Sequence, residues 1–336
     1  MDGELVLLGH GGGGELTRQL IAQHILPRFA NPALDPLTDG AVLANPGGRL
    51  CVTTDASVVT PLNFPGGCIG RLAVCGTVND LAVMGARPLA LTLSLIIEEG
   101  LPFAELDRQL DAAAAAAREA GVPIVTGDTK VVERRRGDGL LISTAGVGVL
   151  PDGVELSPRR VRAGDVVLVS GRIAEHGLAV MACREGLAFK TPVVSDVAPV
   201  LRLCAALLTL GAELRFMRDP TRGGLAGVAA DLAEDGAVGV ELDERAIPIS
   251  PACRHAAELL GLDPLAVANE GKLVAVVAGP AAERALALLR ADPLGRDAAI
   301  IGGITAAKPP LAELRTSAGG RRIVQRPHGE ELPRIC

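Results

Sequence analysis

Three aspartates, a glycine-rich loop and a terminal cysteine are the residues of this chain whose types and placement could do chemistry. Cys336 closes the sequence after Pro333-Arg334-Ile335, and its approach, 325–332, is polar and broken by proline and glycine. Such a stretch is not expected to form regular structure. Nine residues from His328 onward span at most about 30 Å when extended, at roughly 3.3–3.6 Å each. A thiol on this arm reads in two ways: a carrier that swings a bound group across a domain, or a frayed terminus that happens to end in cysteine. The aspartates are Asp55 in Thr53-Thr54-Asp55, Asp80 in Asn79-Asp80, and Asp128 in Gly127-Asp128-Thr129-Lys130, each within or at the end of an apolar element. A carboxylate there is costly unless it is paired, exposed or bound to a cation. Hard oxygen ligands suit Mg²⁺, which commonly binds through one or two carboxylates plus substrate phosphates; the plainer alternative makes each a cap or a surface charge. The loop is Gly9-His10-Gly11-Gly12-Gly13-Gly14. Consecutive glycines lose much backbone entropy on folding, so the loop is either a phosphate cover offering amide donors or a mobile linker. It lacks the Gly-Lys-Ser/Thr of a Walker loop. Residue types and spacing stop at a candidate nucleotide and Mg²⁺ site.

The elements that must position these groups follow from periodicity. After the loop, 15–29 reads as a helix with Leu16, Leu20, Ile21 and Ile25 on one face. A strand over 50–59 carries Asp55, and a helix over 70–84 carries Asn79-Asp80. A strand over 89–97 precedes a helix over 103–120, whose Leu106, Leu110, Ala113-Ala114 and Ala117 make one stripe and which Gly121 ends. Strands over 124–126, running into Asp128, and 140–150 close the first half. The polar, turn-rich stretch 151–164 marks a boundary. Beyond it come strands over 165–170, 238–242, 273–278 and 299–304. Helices are expected over 177–183, 198–210, 225–233, 251–260 and 281–289. The pattern gives an N-terminal segment (1–35), an α/β domain (36–150), a linker (151–164), a second α/β domain (165–307) and a tail (308–336).

Composition excludes several classes. The 336 residues are 49% hydrophobic and 21% charged, as in ordinary globular proteins. Five Phe and no Trp or Tyr leave cores of Ala, Val, Leu and Ile and no aromatic platform for nucleic-acid bases. A net charge of −6 argues further against a nucleic-acid partner. Seven scattered cysteines without a Cys-x-x-Cys pair fit reduced thiols in a cytosol and make a zinc site improbable. There is no signal-like N-terminus and no apolar run of membrane-spanning length, so a soluble, cytoplasmic protein is expected.

The run Gly76-Thr77-Val78-Asn79-Asp80-Leu81-Ala82-Val83-Met84-Gly85-Ala86-Arg87-Pro88 resembles the ATP-site signature of the aminoimidazole-ribonucleotide-synthetase superfamily. Thr54-Asp55, Gly127-Asp128-Thr129-Lys130 and Asp219-Pro220-Thr221-Arg222-Gly223-Gly224 stand in that superfamily's order. Within it, the His10–Gly14 opening, Asn269-Glu270-Gly271 and the terminal Pro-Arg-Ile-Cys resemble the HypE family of hydrogenase maturation factors, over essentially residues 5–336. The resemblance implies a two-domain PurM-like α/β (α+β) fold. Its N-terminal domain pairs in a homodimer to form the ATP cleft, and a flexible tail enters that cleft. It implies that Cys336 receives a carbamoyl group from the carbamoyltransferase HypF. ATP then drives dehydration of the S-carboxamide to a thiocyanate, and the cyanide passes through a HypC–HypD complex to the iron of a [NiFe]-hydrogenase. Under this reading Asp55, Asp80 and Asp128 hold Mg²⁺. His10, Gly11, Gly12, Gly13, Asn79 and Arg222 join them in binding ATP, and Glu270 is the base with Lys130 as its partner. The alternatives are another superfamily enzyme, a selenophosphate synthetase or small-molecule kinase, or a non-catalytic assembly scaffold. Selenophosphate synthetases usually carry Cys or selenocysteine in the glycine loop, where this chain has His10.

Overall fold

Alternating strand and helix patterns suggest parallel sheets, yet the sheets here are largely antiparallel. The computed structural model describes residues 5–12, 14–35, 37, 40–44, 46–187, 192–306, 309–327 and 334–336. The N-terminal helix is one rod in three pieces: α1 (Glu15–Leu20), a π-helical turn (Ile21–Ile25) and α2 (Leu26–Phe29). Next come β1 (Arg49–Ser57), the short pair β2 (Asn63–Phe64) and β3 (Gly67–Cys68), α3 (Ile69–Val83), β4 (Arg87–Glu98), α4 (Phe103–Ala120), β5 (Ile124–Val132) and β6 (Leu140–Leu150). They form a four-stranded sheet in the order β1-β6-β4-β5, in which only β4 and β5 run parallel. Helix α4 keeps its predicted bounds, and Gly121 ends it in the left-handed conformation, φ 68°. Helix α3 is apolar and buried on nearly every side, as a helix clasped between two layers must be.

The register fixes two faces of this sheet. Thr53 and Asp55 of β1 lie toward α3. Leu50, Val52, Thr54 and Ala56 share the other face with Val147, Ser94, Ile96, Asp128 and Lys130 through the pairs Val52↔Val147, Ala56↔Ser143, Ser94↔Ser143, Ser94↔Asp128 and Ile96↔Lys130. That second face is open, with Leu50 58% and Val52 68% exposed.

The second domain holds β7 (Val166–Val169), α5 (Glu175–Arg184), α6 (Leu201–Leu208), β8 (Leu214–Arg218), α7 (Gly224–Gly236), β9 (Gly239–Asp243), α8 (Pro251–Leu260), β10 (Val274–Val277), α9 (Ala282–Arg290), β11 (Ala299–Thr305), β12 (Ala312–Arg315) and β13 (Arg321–Val324). Its seven-stranded sheet runs β13-β12-β9-β11-β7-β10-β8. Helix α7 packs on one face through Leu225, Val228 and Leu232. Leu203 and Leu207 of α6 and Leu289 of α9 pack on the other, where Ala82 and Val83 of α3 join them. Strand structure continues into the segment read from sequence as tail: Ala312 and Leu314 alternate inward from Glu313 and Arg315, and β12 adds parallel to β9. Of the expected mobile arm, 328–333 lie outside the described residues.

Candidate active site

Asp55 and Asp80 meet because β1 lies against α3. Thr77 of α3 donates to Asp55 Oδ2 at 3.3 Å, and Thr53 of β1 donates to Asp80 Oδ2 at 2.7 Å. Gly76 leaves the room this needs, since a Cβ there would stand 2.9 Å from Asp55 Oδ2. From the second domain, Asp219 follows β8 and is 8% exposed. Thr221 and Arg222 stand beside it in the loop leading to α7. These residues, with Ser57, Leu72, Gly76, Glu270 and Cys336, line a cavity of about 40 Å³ between the domains.

Glu270 is held by its own backbone. Its N–H donates to Asp196 Oδ1 at 3.1 Å, its carbonyl accepts from Asn79 Nδ2 at 3.1 Å, and the next amide, Gly271, donates to Asp196 Oδ2 at 3.2 Å. Asn269 braces the loop from the other side, accepting from the Ala174 amide at 2.7 Å and donating to the Pro220 carbonyl at 3.0 Å. The Glu270 side chain is buried and its Oε1 has no hydrogen-bond partner among the described residues. A buried carboxylate oxygen left unpaired is expensive, which marks it as a group held for a ligand or a proton.

The terminal residues lie inside this cleft. Arg334 turns through the left-handed region, φ 55°, and its carbonyl accepts from the Thr60 amide at 3.2 Å and from Arg184 Nη2 at 2.6 Å. Its guanidinium pairs with Asp138 at 2.8 Å. Ile335 is 2% exposed in the first domain's core, and its carbonyl meets His176 Nε2 at 2.8 Å. Cys336 is left half-buried beside Glu270.

Electrostatics here are dominated by crowded acids. Burial, then the neighbouring carboxylates of Asp219, Asp196, Asp55 and Asp80, raises Glu270 well above the usual carboxylate range. Burial, then Asp80, pushes Asp219 up to about 7. Asp55 and Asp80 are raised as well, both mainly by burial, with Arg222 pulling each partly back. Burial and then Glu270 raise the Cys336 thiol, so it is seated as a neutral thiol.

Of the residues singled out from sequence, Asp55, Asp80, Arg222, Glu270 and Cys336 are brought together. Asp128 does not join Asp55 and Asp80 in this cavity: it lies on the open face of the sheet, opposite Asp55, and pairs with Lys130 at 3.6 Å. Lys130 is thereby separated from Glu270 as well. Asn79 binds protein, not an open cleft; its amide joins Ala198 and Glu270 carbonyls and the Val200 amide. His10 accepts from the Leu7 amide at 2.9 Å and sits edge-on to Phe103. Gly11 packs so close to β5 that a Cβ would lie 2.3 Å from Val131 N. With Gly12, these residues stand by β5 rather than in the cavity, and Gly13 lies outside the described residues. Asp219, His176, Asp196 and Lys272 went unassigned from sequence. Asp219 carried the signal read for Asp128, a carboxylate just past an apolar strand; a lone histidine in α5 carried none.

Comparison with known proteins identifies the family. The family model for the N-terminal domain of AIR synthase related protein matches residues 37–150, and that for its C-terminal domain matches 162–310. A carbamoyl dehydratase HypE from Rhizobium leguminosarum bv. viciae is 52% identical over 330 residues, 98% of this chain and 94% of the relative. The chain belongs to the HypE family. A crystal structure of a HypE in complex with ATP superposes with a TM-score of 0.94 at 42% identity, covering 98% of this chain and 99% of that one. The HypE of a HypE–HypF complex superposes at 0.81 with 44% identity, over 94% of this chain and 100% of that one. Family membership makes the fold PurM-like and gives the docked Cys336 a chemical context. Among the described residues no helix is long and apolar enough to cross a membrane.

Proposed function

We infer that this chain is an ATP-dependent carbamoyl dehydratase of hydrogenase maturation, converting an S-carboxamide on Cys336 to a thiocyanate. The observation that carries the reading is the seating of Cys336 against the Glu270 carboxylate, whose Oε1 is left unpartnered, in a cleft lined with acids and one arginine. The reaction removes the amide oxygen, a very poor leaving group. Transfer of the γ-phosphoryl of ATP to that oxygen releases ADP. Departure of phosphate then breaks the C–O bond as nitrogen gives up two protons and the C≡N bond forms. Glu270 takes the first proton: burial and its acidic neighbours raise its carboxyl above the usual range, which makes the ionised form a stronger base, and its free Oε1 is the acceptor. Arg222 balances negative charge developing on the phosphoryl group. The small cavity beside the seated thiol is on the scale of a few waters, which suits a carboxamide; the nucleotide enters from the Asp55–Asp80–Asp219 side.

Mg²⁺ fits this side. Crowded carboxylates, each held above its ordinary pKa, are what a bound cation would relieve. Among the described residues no three ligating side chains converge closely enough to hold a metal alone, so Asp55, Asp80 and Asp219 would share it with phosphate oxygens and water. The ion would supply charge neutralisation of the phosphates. Pairing of two chains through the N-terminal domain would cover the open sheet face, and Asp128 and Lys130 then act across that contact. HypF loads the thiol, and the HypC–HypD complex receives the cyanide.

Intact-protein mass tests the reading. Incubation with HypF, carbamoyl phosphate and ATP should add one carbamoyl group at Cys336, followed by ATP-dependent loss of one water. A Cys336→Ala chain should stay unmodified while binding ATP normally. Loading at another residue, or water loss without ATP, would sink the assignment.

A further inference from the structure

Ser195 and Asp196 are neighbours in a segment that belongs to neither sheet, and they hold the two reacting partners separately. Ser195 Oγ lies 2.8 Å from His176 Nδ1 and also accepts the Val197 amide at 3.2 Å. His176 Nε2 faces the Ile335 carbonyl, which can only accept, so Nε2 carries the proton. Burial lowers the pKa of this fully buried ring. The neutral ring therefore has Nδ1 as acceptor, and the Ser195 hydroxyl fixes that tautomer by donating to it. Phe64 packs edge-on to the imidazole at 5.3 Å and fixes its plane. One residue on, Asp196 binds both amides of the base loop and the Lys272 ammonium, Oδ2 to Nζ 3.2 Å. The segment itself is tied to the first domain by the Ser195 amide on Pro65, by Arg71 on the Val197 carbonyl at 3.1 Å, and by Asn79 on Ala198 and Val200.

We propose that His176 and Asp196 are positioning residues for the dehydration, His176 seating the tail through Ile335 and Asp196 setting Glu270, with Ser195-Asp196 holding the two in common register. This rests on Cys336 being the carrier of the carboxamide. Neither residue touches the reacting atoms. Each fixes one of two groups that must meet within a hydrogen bond, where small misplacements cost rate steeply.

The test separates seat from base. Tail seating is read as the rate of iodoacetamide alkylation of Cys336, located by peptide mass, in the unloaded full-length protein. Chemistry is read as single-turnover water loss from the HypF-loaded protein with saturating ATP. His176→Phe should speed Cys336 alkylation and slow water loss about tenfold, the worth of one buried hydrogen bond, with His176→Gln recovering most of both. Asp196→Asn should slow water loss by a similar factor and leave alkylation unchanged. Should His176→Phe fail to fold, Ser195→Ala reports on the same seat by releasing the tautomer, and should move alkylation the same way by about threefold. Wild-type alkylation and water loss in a folded His176→Phe or Ser195→Ala protein would overturn the proposal, as would faster alkylation in Asp196→Asn. If wild-type protein loads but never loses water, the dehydratase reading fails, while the alkylation contrast still decides the seat.

Discussion

In the proposed mechanism Glu270 is the residue on which the chemistry turns, and its substitution should separate loading from conversion. Glu270→Gln keeps the side chain's shape and loses the proton acceptor, so the protein should accept a carbamoyl group yet dehydrate it at least about 100-fold more slowly. Single-turnover mass measurement with ATP would show it, and a wild-type yield of thiocyanate would remove Glu270 from the mechanism. Asp219 gives a second expectation, read in stability. Its carboxyl titrates at about 7 in the folded protein against an ordinary 3.8. Across that window the folded chain keeps a proton that the unfolded chain has released, so its contribution is full below 3.8 and is lost as pH rises through about 7. Asp219→Asn removes this slope. The Tm difference between variant and wild type, measured without nucleotide from pH 5 to 8, should move in the variant's favour as pH rises; a constant difference would count against the assignment. Asp55 and Asp80 were legible in the sequence because a carboxylate inside an apolar element must have a reason. Asp128 carried the same signal, but its side of the sheet depends on registers passed through β6 and β4, and no local pattern records those.

Helix α3 and the 195–200 segment decide where the two domains meet. Asn79 of α3 ties them with hydrogen bonds to the backbone of Ala198, Val200 and Glu270. Asn79→Ala would leave those buried groups unpaired and should cost about 2–4 kcal/mol in denaturant unfolding. It should also weaken conversion, because the Glu270 carbonyl loses its anchor; an unchanged unfolding midpoint would refute this. Gly271 belongs to the same joint, since a Cβ there would fall 1.8 Å from the Asp196 carbonyl oxygen. The apolar periods of α3 and α4 were readable because burial imposes them directly. Strand order and direction were not: β1 and β6 pair antiparallel across most of the domain's length, and β8, β12 and β13 are short strands whose charged outer residues mask a two-residue alternation.

For the whole molecule the open face of the first sheet is the feature that calls for a partner. Leu50 and Val52 are apolar and more than half exposed, beside Ile96 and the Asp128–Lys130 pair. If two chains pair through this face as proposed, Val52→Arg should convert a dimer to monomer in sedimentation while leaving the melting temperature of the dilute chain nearly unchanged; a variant that stays dimeric places the contact elsewhere. The two-domain plan was readable from the turn-rich stretch before Val166, whereas the seat of the tail between the domains was not, because Arg334 and Ile335 find their places through contacts more than a hundred residues away in sequence. With Cys336 as the proposed carrier, that seat has a kinetic consequence. While His176 and Arg184 grip the last residues, the thiol is neutral and shielded, and a separate loading enzyme can react only with the fraction of molecules whose tail has left. The apparent affinity of the loader falls by that fraction. A firmer grip quickens dehydration and starves loading; a looser one does the reverse. The flux through both steps therefore peaks at an intermediate residence time of the tail, and the hydrogen bonds to Arg334 and Ile335 are where that optimum is set.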